Sequence, residues 1–436
     1  MPADGGIGAP RGLAGVSWVL ALGTTLLMQT VAAFLSQCLP VLAPLLTGNA
    51  GLPPETAGHL AALSSLGTIL FLLFGGPLLA RLGPVRALQA GTLVAVLGLA
   101  LAGLGSTLAL VVSALVLGLG YGPTPPAGSR ILTATAPARH RTLIFSIKQA
   151  GAPLGGMLVG LTVAPVAVRA GWPVALGLAM LLALLACLAV QPARRQMDVE
   201  REPGRRIGPG ALFARSNISA PFAALRLHPL LPPLTWLTVS LATSQGCVFA
   251  FLVTWLCEVH ALPLAQAGLV YAVAQGGGAF ARIILGWLAD RTGRPSLNLV
   301  AQGILAALLT AGLALLPVGT PFAWLLLLGG LAGAMVASWN GIYQAEIARL
   351  VPPARIAEAT AGSTTLCFLG YVLSPALFAL LVTSTGNWIV PQLLAAGQLI
   401  AVGLWVLPRI LRAGREAPAT GDMRDLAVSP LAGPER

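Results

Sequence analysis

Long apolar runs, separated by short polar or glycine- and proline-containing stretches, recur twelve times along the chain. A helix needs roughly 20 apolar residues to cross the hydrocarbon core of a bilayer. The pattern predicts such spans at 16–39, 57–80, 85–104, 107–134, 142–165, 172–191, 231–257, 265–289, 297–316, 321–348, 358–383 and 388–408. One long polar segment, 192–230, divides them six and six, with Arg194, Arg195, Arg201, Arg205 and Arg206 among its prolines and glycines. The expected organisation is an N-terminal arm over 1–15, a six-helix bundle over 16–191, a linker over 192–230, a second bundle over 231–408 and a polar tail over 409–436.

The two halves are related by duplication. Gly286-Trp287-Leu288-Ala289-Asp290-Arg291-Thr292-Gly293-Arg294 has a partial copy in Gly76-Pro77-Leu78-Leu79-Ala80-Arg81-Leu82-Gly83-Pro84, at an offset of 210 residues. Leu52-Pro53-Pro54-Glu55-Thr56-Ala57-Gly58 matches Leu262-Pro263-Leu264-Ala265-Gln266-Ala267-Gly268 at the same offset, which makes chance agreement of the first pair unlikely. Each repeat opens its second helix with one signature and closes it with the other.

Composition agrees: 56% hydrophobic residues, 9% charged ones and a mean hydropathy of +0.86 leave too little polar surface for a water-soluble chain of 436 residues. The net charge of +12 reports orientation. Of the 25 Lys+Arg, only Arg130, Lys148 and Arg282 fall well inside spans, and Arg169 lies in the fifth-to-sixth loop. The others occupy termini or loops on one side, the positive-inside pattern, so both termini and the linker are expected in the cytoplasm. Nucleic acid is excluded as a partner on the same ground, and the bilayer is the expected surroundings. Arg-over-Lys usage suggests a bacterial source, hence the inner membrane.

Cys38, Cys187, Cys247, Cys257 and Cys367 show no metal-ligand spacing, and the four histidines are isolated from one another. No nucleophile elbow, phosphate loop, dinucleotide fingerprint or zinc-protease motif is present. The expectation is a chain that is not an enzyme and needs neither metal nor cofactor.

Twelve spans in two repeats, a basic central linker, and Gly-x-x-x-Asp-Arg-x-Gly-Arg after the second helix of a repeat together resemble the major facilitator superfamily, over residues 13–410. The resemblance implies an all-α membrane fold: two pseudo-symmetric bundles around a central cavity, a functional monomer, and rocker-switch alternating access. It also implies a gate at the cytoplasmic end built from Gly76, Arg81, Gly83, Arg86, Gly286, Asp290, Arg291, Gly293 and Arg294. The resemblance places Glu346 and Arg355 in a Glu-to-Pro-to-Arg segment at the cytoplasmic end of the tenth span that many members pair with the loop arginines. Glu346 is part of that gate, a protonation site or a packing residue. Departures matter too. Ala80 and Pro84 stand where the N-terminal motif copy calls for aspartate and arginine, and Ala114 and Ala152-Pro153-Leu154-Gly155-Gly156 depart from the drug/proton antiporter pattern.

Ionisable side chains within a bilayer cost about 2.5–3.5 kcal/mol on insertion scales and normally face a partner or a wet cavity. Arg130 and Lys148 are expected about 10 Å inside the cytoplasmic boundary, at 1.5 Å per helical residue. The first bundle offers them no intramembrane carboxylate. They suit an anionic small-molecule substrate, with Gln29, Tyr121, Asn340, Tyr343 and Arg282 as further binding candidates. The structural alternative has Arg130 snorkelling to headgroups, Lys148 bonded to carbonyls freed by Pro123, Pro125 and Pro126, and Arg282 joined to the gate. The leading expectation is a secondary transporter of a small organic anion, proton-coupled or exchanging anions. An efflux pump for hydrophobic compounds and a non-transporting receptor or scaffold on the same fold are the alternatives, and solute flux in liposomes separates the last.

Overall fold

The computed structural model describes residues 16–137, 141–199, 201–204, 208, 219, 222–352 and 355–416. The arm before residue 16, most of the linker, Arg139 and the tail beyond Glu416 lie outside the described residues, as does the Asp290 side chain. Sixteen helices are described: α1 Trp18–Asn49, α2 Thr56–Phe74, α3 Gly76–Leu82, α4 Pro84–Ala102, α5 Thr107–Tyr121, α6 Thr124–Thr135, α7 Arg141–Ala170, α8 Trp172–Ala189, α9 Ala193–Met197, α10 Leu231–Glu258, α11 Leu264–Thr292, α12 Pro295–Ala314, α13 Phe322–Ala337, α14 Asn340–Leu350, α15 Ile356–Thr385 and α16 Ile389–Glu416. They make 12 stretches long and apolar enough to cross a membrane. Leucines on their outer faces, such as Leu97, Leu188 and Leu380, are exposed and suit lipid rather than water.

Four element ends differ from the apolar pattern; among them, the fifth span runs on through Pro165 to Ala170 and takes Arg169 into its last turn rather than leaving it in a loop. The first helix runs through Pro40 and Pro44 to Asn49, because neighbouring helices can satisfy the backbone groups those prolines free. The second span stops at Phe74, and Gly76–Leu82 forms the separate short helix α3, whereas its counterpart α11 continues unbroken to Thr292. The last helix continues to Glu416, past the predicted end at 408, carried by Ile410 and Leu411 beyond Pro408. The glycines closing the two motif copies have positive φ, +85° at Gly83 and +64° at Gly293, a region costly for any residue with a Cβ.

Both fourth spans are broken. In the first bundle the break falls at Gly122-Pro123 between α5 and α6; Pro123, Pro125 and Pro126 have no N–H to return to Leu119, Tyr121 and Gly122. In the second it falls at Ser338-Trp339 between α13 and α14, where the Ser338 hydroxyl bonds back to the Ala334 carbonyl and competes with the ladder. The two breaks correspond at an offset of 216 residues.

The bundles meet along α7 with α11, α2 with α15, and α1 with α10. Because spans alternate in direction, one end of the molecule carries the linker, and the far end carries the turns at 50–55 and 259–263. The two bundles make close contacts at the far end. A Cβ on Gly58 would stand 2.1 Å from the Phe251 ring and 2.5 Å from the Pro375 carbonyl, and one on Gly268 would stand 2.6 Å from Ala164. These two glycines occupy equivalent places in the repeat, so each copy of the Leu52–Gly58 signature supplies one close approach between the bundles. Thr383 Oγ1 donates to Glu55 at 3.0 Å over the same seam.

Candidate functional site

Lys148 is carried one turn into the membrane on α7 and is only 2% exposed. Its side chain lies along Gly128 of α6, where an added Cβ would come within 2.6 Å of Cε and 3.1 Å of Nζ. The break at Gly122-Pro123 sets the course of α6, so proline chemistry in the fourth span makes the slot that the lysine fills. No carboxylate and no hydrogen-bond acceptor pairs with its ammonium among the described residues. The proline-freed carbonyls of the fourth span thus do not serve it. Arg130, two residues beyond Gly128, is half-buried and engaged in an interaction of its own.

One turn along α7 from Lys148, Gly151 packs on Gln29 of α1. Gln29 Nε2 donates to the Tyr121 hydroxyl at 2.9 Å, while its Oε1 is buried without a partner among the described residues. Tyr121 and Tyr371 both lie within electrostatic reach of Arg282, so side chains of both bundles converge near the middle of the molecule.

Arg282 is not a free cation in this centre. Its Nη1 donates to the Gln149 carbonyl at 2.7 Å, and its Nε and Nη2 to the Ala337 carbonyl at 3.0 and 2.9 Å. Both carbonyls are released by helix irregularities. Pro153 has no N–H to return to Gln149 four residues earlier, and Ala337 is the last residue of α13 before the break. The guanidinium also meets the negative end of the α13 dipole. Since Gln149 belongs to the first bundle and Ala337 to the second, Arg282 ties the two together.

On the second-bundle side, Trp339, Asn340, Tyr343, Ser363, Cys367 and Tyr371 line a cavity of about 350 Å³ between α14 and α15. It extends from Tyr371 near the centre towards the linker end. Two of its aromatics are fixed by bonds to α10, Trp339 Nε1 to Gln245 Oε1 at 2.9 Å and Tyr343 with Thr235 at 2.8 Å. Asn340 is half-buried at its mouth.

At the linker end the predicted gate residues are held differently in the two repeats. Gly76 starts α3, Arg81 lies in its last turn, and Gly83 closes it. The aspartate that Ala80 replaces is made good from elsewhere. Asp198, beyond α9, accepts from the Val85 and Arg86 amides at 2.8 and 3.1 Å and pairs with the Arg86 guanidinium at 3.5 Å. A Cβ on Gly83 would stand 2.7 Å from this carboxylate. Burial raises the Asp198 carboxyl above its ordinary pKa, and the two amide bonds and Arg86 pull it back down. Asp198→Ala leaves two amides at the start of α4 without their cap, a loss of about 1–2 kcal/mol. It also frees the linker, so limited proteolysis after Met197 should accelerate.

In the second repeat Gly286 has open space around it, Arg291 stacks on Trp287 at 5.1 Å, and Arg294 precedes α12. Glu346, 1% exposed, does not reach these arginines. Ser296 at the start of α12 donates to its Oε2 at 2.5 Å, and Arg349 grips both oxygens at 3.0 and 2.9 Å. Arg355 makes an interaction of its own beside it in sequence. Both repeats therefore set a buried carboxylate at the start of their third span, one from the linker and one from α14.

Three residues, Tyr271, Gln275 and Asp198, are among those that sequence reasoning missed. Tyr271 donates to Gln37 at 2.6 Å across the bundles and accepts from Gln275 at 3.2 Å. Asp198 is the third. The repeat signature offered a hint for the tyrosine, which lies three residues beyond Gly268, but no local signal marked Asp198.

Comparison with known proteins bears on the whole arrangement. The family model described as Major Facilitator Superfamily matches residues 25–375. Two uncharacterized MFS-type transporters of Mycobacterium tuberculosis, from strains CDC 1551 / Oshkosh and H37Rv, are 27% and 26% identical over 274 residues, which is 61% of this chain. The match spans 58% of the length of each relative. Among solved structures, a peptide transporter POT in complex with sulfate superposes with a TM-score of 0.69 at 19% identity, covering 95% of this chain and 97% of that one. A mutant of that transporter, also with sulfate, gives 0.70 at 18% identity and the same coverage. With its twelve stretches long and apolar enough to span a membrane and its internal duplication, the chain belongs to the major facilitator superfamily and is a multi-pass membrane protein.

Proposed function

We propose that the protein carries a small organic anion of the carboxylate type by secondary active transport, coupled to protons or to exchange with a second anion. One observation carries this reading. Lys148 holds an ammonium at 2% exposure in a membrane-spanning helix, with no counter-charge among the described residues. Placing a charge there costs about 2.5–3.5 kcal/mol on insertion scales, and a bound carboxylate offsets that cost only while it is present. Arg130 supplies a second base on the helix that Lys148 touches. Gln29 and Tyr121, with Asn340 and Tyr343 opposite, are the neutral partners assigned to the rest of the substrate. Arg282 we assign to the tie between bundles, and Glu346 to the linker-end brace, because its carboxylate is already committed to Ser296 and Arg349.

We place the linker in the cytoplasm of a bacterial cell, so that the closely packed far end faces outward. The test is a thermal-shift screen of the purified protein against carboxylates, inorganic sulfate, dipeptides and hydrophobic cations, followed by counterflow in proteoliposomes. The dipeptides are included because POT, which shares the fold, transports peptides. Stabilisation by one group of anions with counterflow of the same group is the expected result. Stabilisation by hydrophobic cations alone moves the assignment to efflux, and binding without flux moves it to a receptor.

A further inference from the structure

A second cavity, of about 370 Å³, lies in the far half of the second bundle among α10, α12, α15 and α16. Phe251, Leu252, Leu313 and Phe378 make its wall apolar, and Phe251 and Phe378 stack there at 4.4 Å. Gln392 and Cys247 also reach the lining, and two further polar groups on that wall are buried without partners among the described residues. Trp255, 1% exposed, has an indole N–H with no acceptor, and Thr310, 4% exposed, has a hydroxyl with no partner among the described residues. Thr310 does not even bond back to the carbonyl four residues earlier, as Thr25, Thr47 and Thr235 do. Leaving a buried donor unpaired costs about 1–3 kcal/mol, whereas a phenylalanine and a valine would have filled the same places without that cost. None of the anion-site residues lines this cavity.

We propose that this cavity is a second ligand site, for a small uncharged molecule with a compact apolar body and one hydrogen-bond acceptor. The Trp255 indole can only donate, so the ligand must accept, and the apolar walls exclude a charge. The free space, part of it open to the surroundings, suits one ring rather than a lipid chain. The site touches the contact between bundles, because the Phe251 ring on its wall is the one that Gly58 of α2 closes upon.

Cyclohexanone and methylenecyclohexane have nearly the same shape and differ in the acceptor, so partition into detergent affects them alike. Thermal unfolding of the full-length protein, titrated with each, should show a saturable upward shift with cyclohexanone and a smaller one with its hydrocarbon analogue. Trp255→Phe and Thr310→Val, separately, test the polar groups; losing the hydrogen bond weakens cyclohexanone about tenfold. Ala395→Leu fills the cavity, and should abolish the shift while leaving the protein at least as stable. Equal shifts with both molecules overturn the proposal, as does cyclohexanone binding that survives in every variant that folds. Absence of any shift would mean that the two groups hold only water, and would overturn it too.

Discussion

Replacing Lys148 by methionine should make the unliganded protein more stable and unable to bind its anion. The side chain is 2% exposed, packed on Gly128, and without a counter-charge among the described residues, so its ammonium is a cost that the folded protein carries. Methionine has nearly the same length and no charge, and fits irregular spaces well. Removing the charge should return a large part of the insertion penalty, about 1–3 kcal/mol. Scanning calorimetry of purified wild type and Lys148→Met measures it directly. The same variant should show no anion-induced rise in unfolding temperature and no counterflow, the trade of stability against activity expected at a binding site. A loss of stability would assign Lys148 a structural role. Gly128→Ala is the companion, since its Cβ displaces Cε without removing charge and should weaken anion binding with flux retained at higher substrate concentration.

Arg282→Leu should be among the most damaging single substitutions, for the opposite reason. It removes three charge-assisted bonds and leaves the Gln149 and Ala337 carbonyls bare in the membrane, with an expected loss of about 3–5 kcal/mol. Arg282→Lys keeps the charge but not the fork that reaches both bundles, and should recover only part. The proline gives an internal check. In Pro153→Ala, residue 153 regains an N–H that the helix can return to Gln149, so the carbonyl no longer depends on the arginine. Combined with Arg282→Leu, Pro153→Ala should therefore reduce the damage, with a coupling of about 1 kcal/mol in a double-mutant cycle of unfolding free energies. Strict additivity would show that the Gln149 bond contributes nothing.

Much of the fold could be read from the chain because hydropathy acts over lengths that match the bilayer. Ends were harder to place. Pro40 and Pro44 look like stops on the scale of one helix, but a bundle can satisfy the carbonyls they free, and α1 passes through them. The duplication was legible and did more than set topology, since the matched Gly58 and Gly268 proved to be contact points between bundles. At the site, a lysine in an apolar run was visible, and Pro153 could have pointed to Gln149 as an acceptor in need of a donor. That the donor would be Arg282, 133 residues away, was not visible. Nor was Asp198 as the cap for Val85, 113 residues distant, or Ser296 as the partner of Glu346. Such pairings depend on which faces of which helices meet, and periodicity carries no record of that.

The broken fourth spans also preserve something of the protein's history. The two interruptions sit at the same place in the repeat, yet one is made by three prolines and the other by a serine hydroxyl turned on its own helix. Sequence has drifted until no common residue makes the break, and the geometry has stayed. A bend inherited from the single ancestral unit accounts for both, and in one descendant it came to house a lysine, while in the other it came to anchor an arginine.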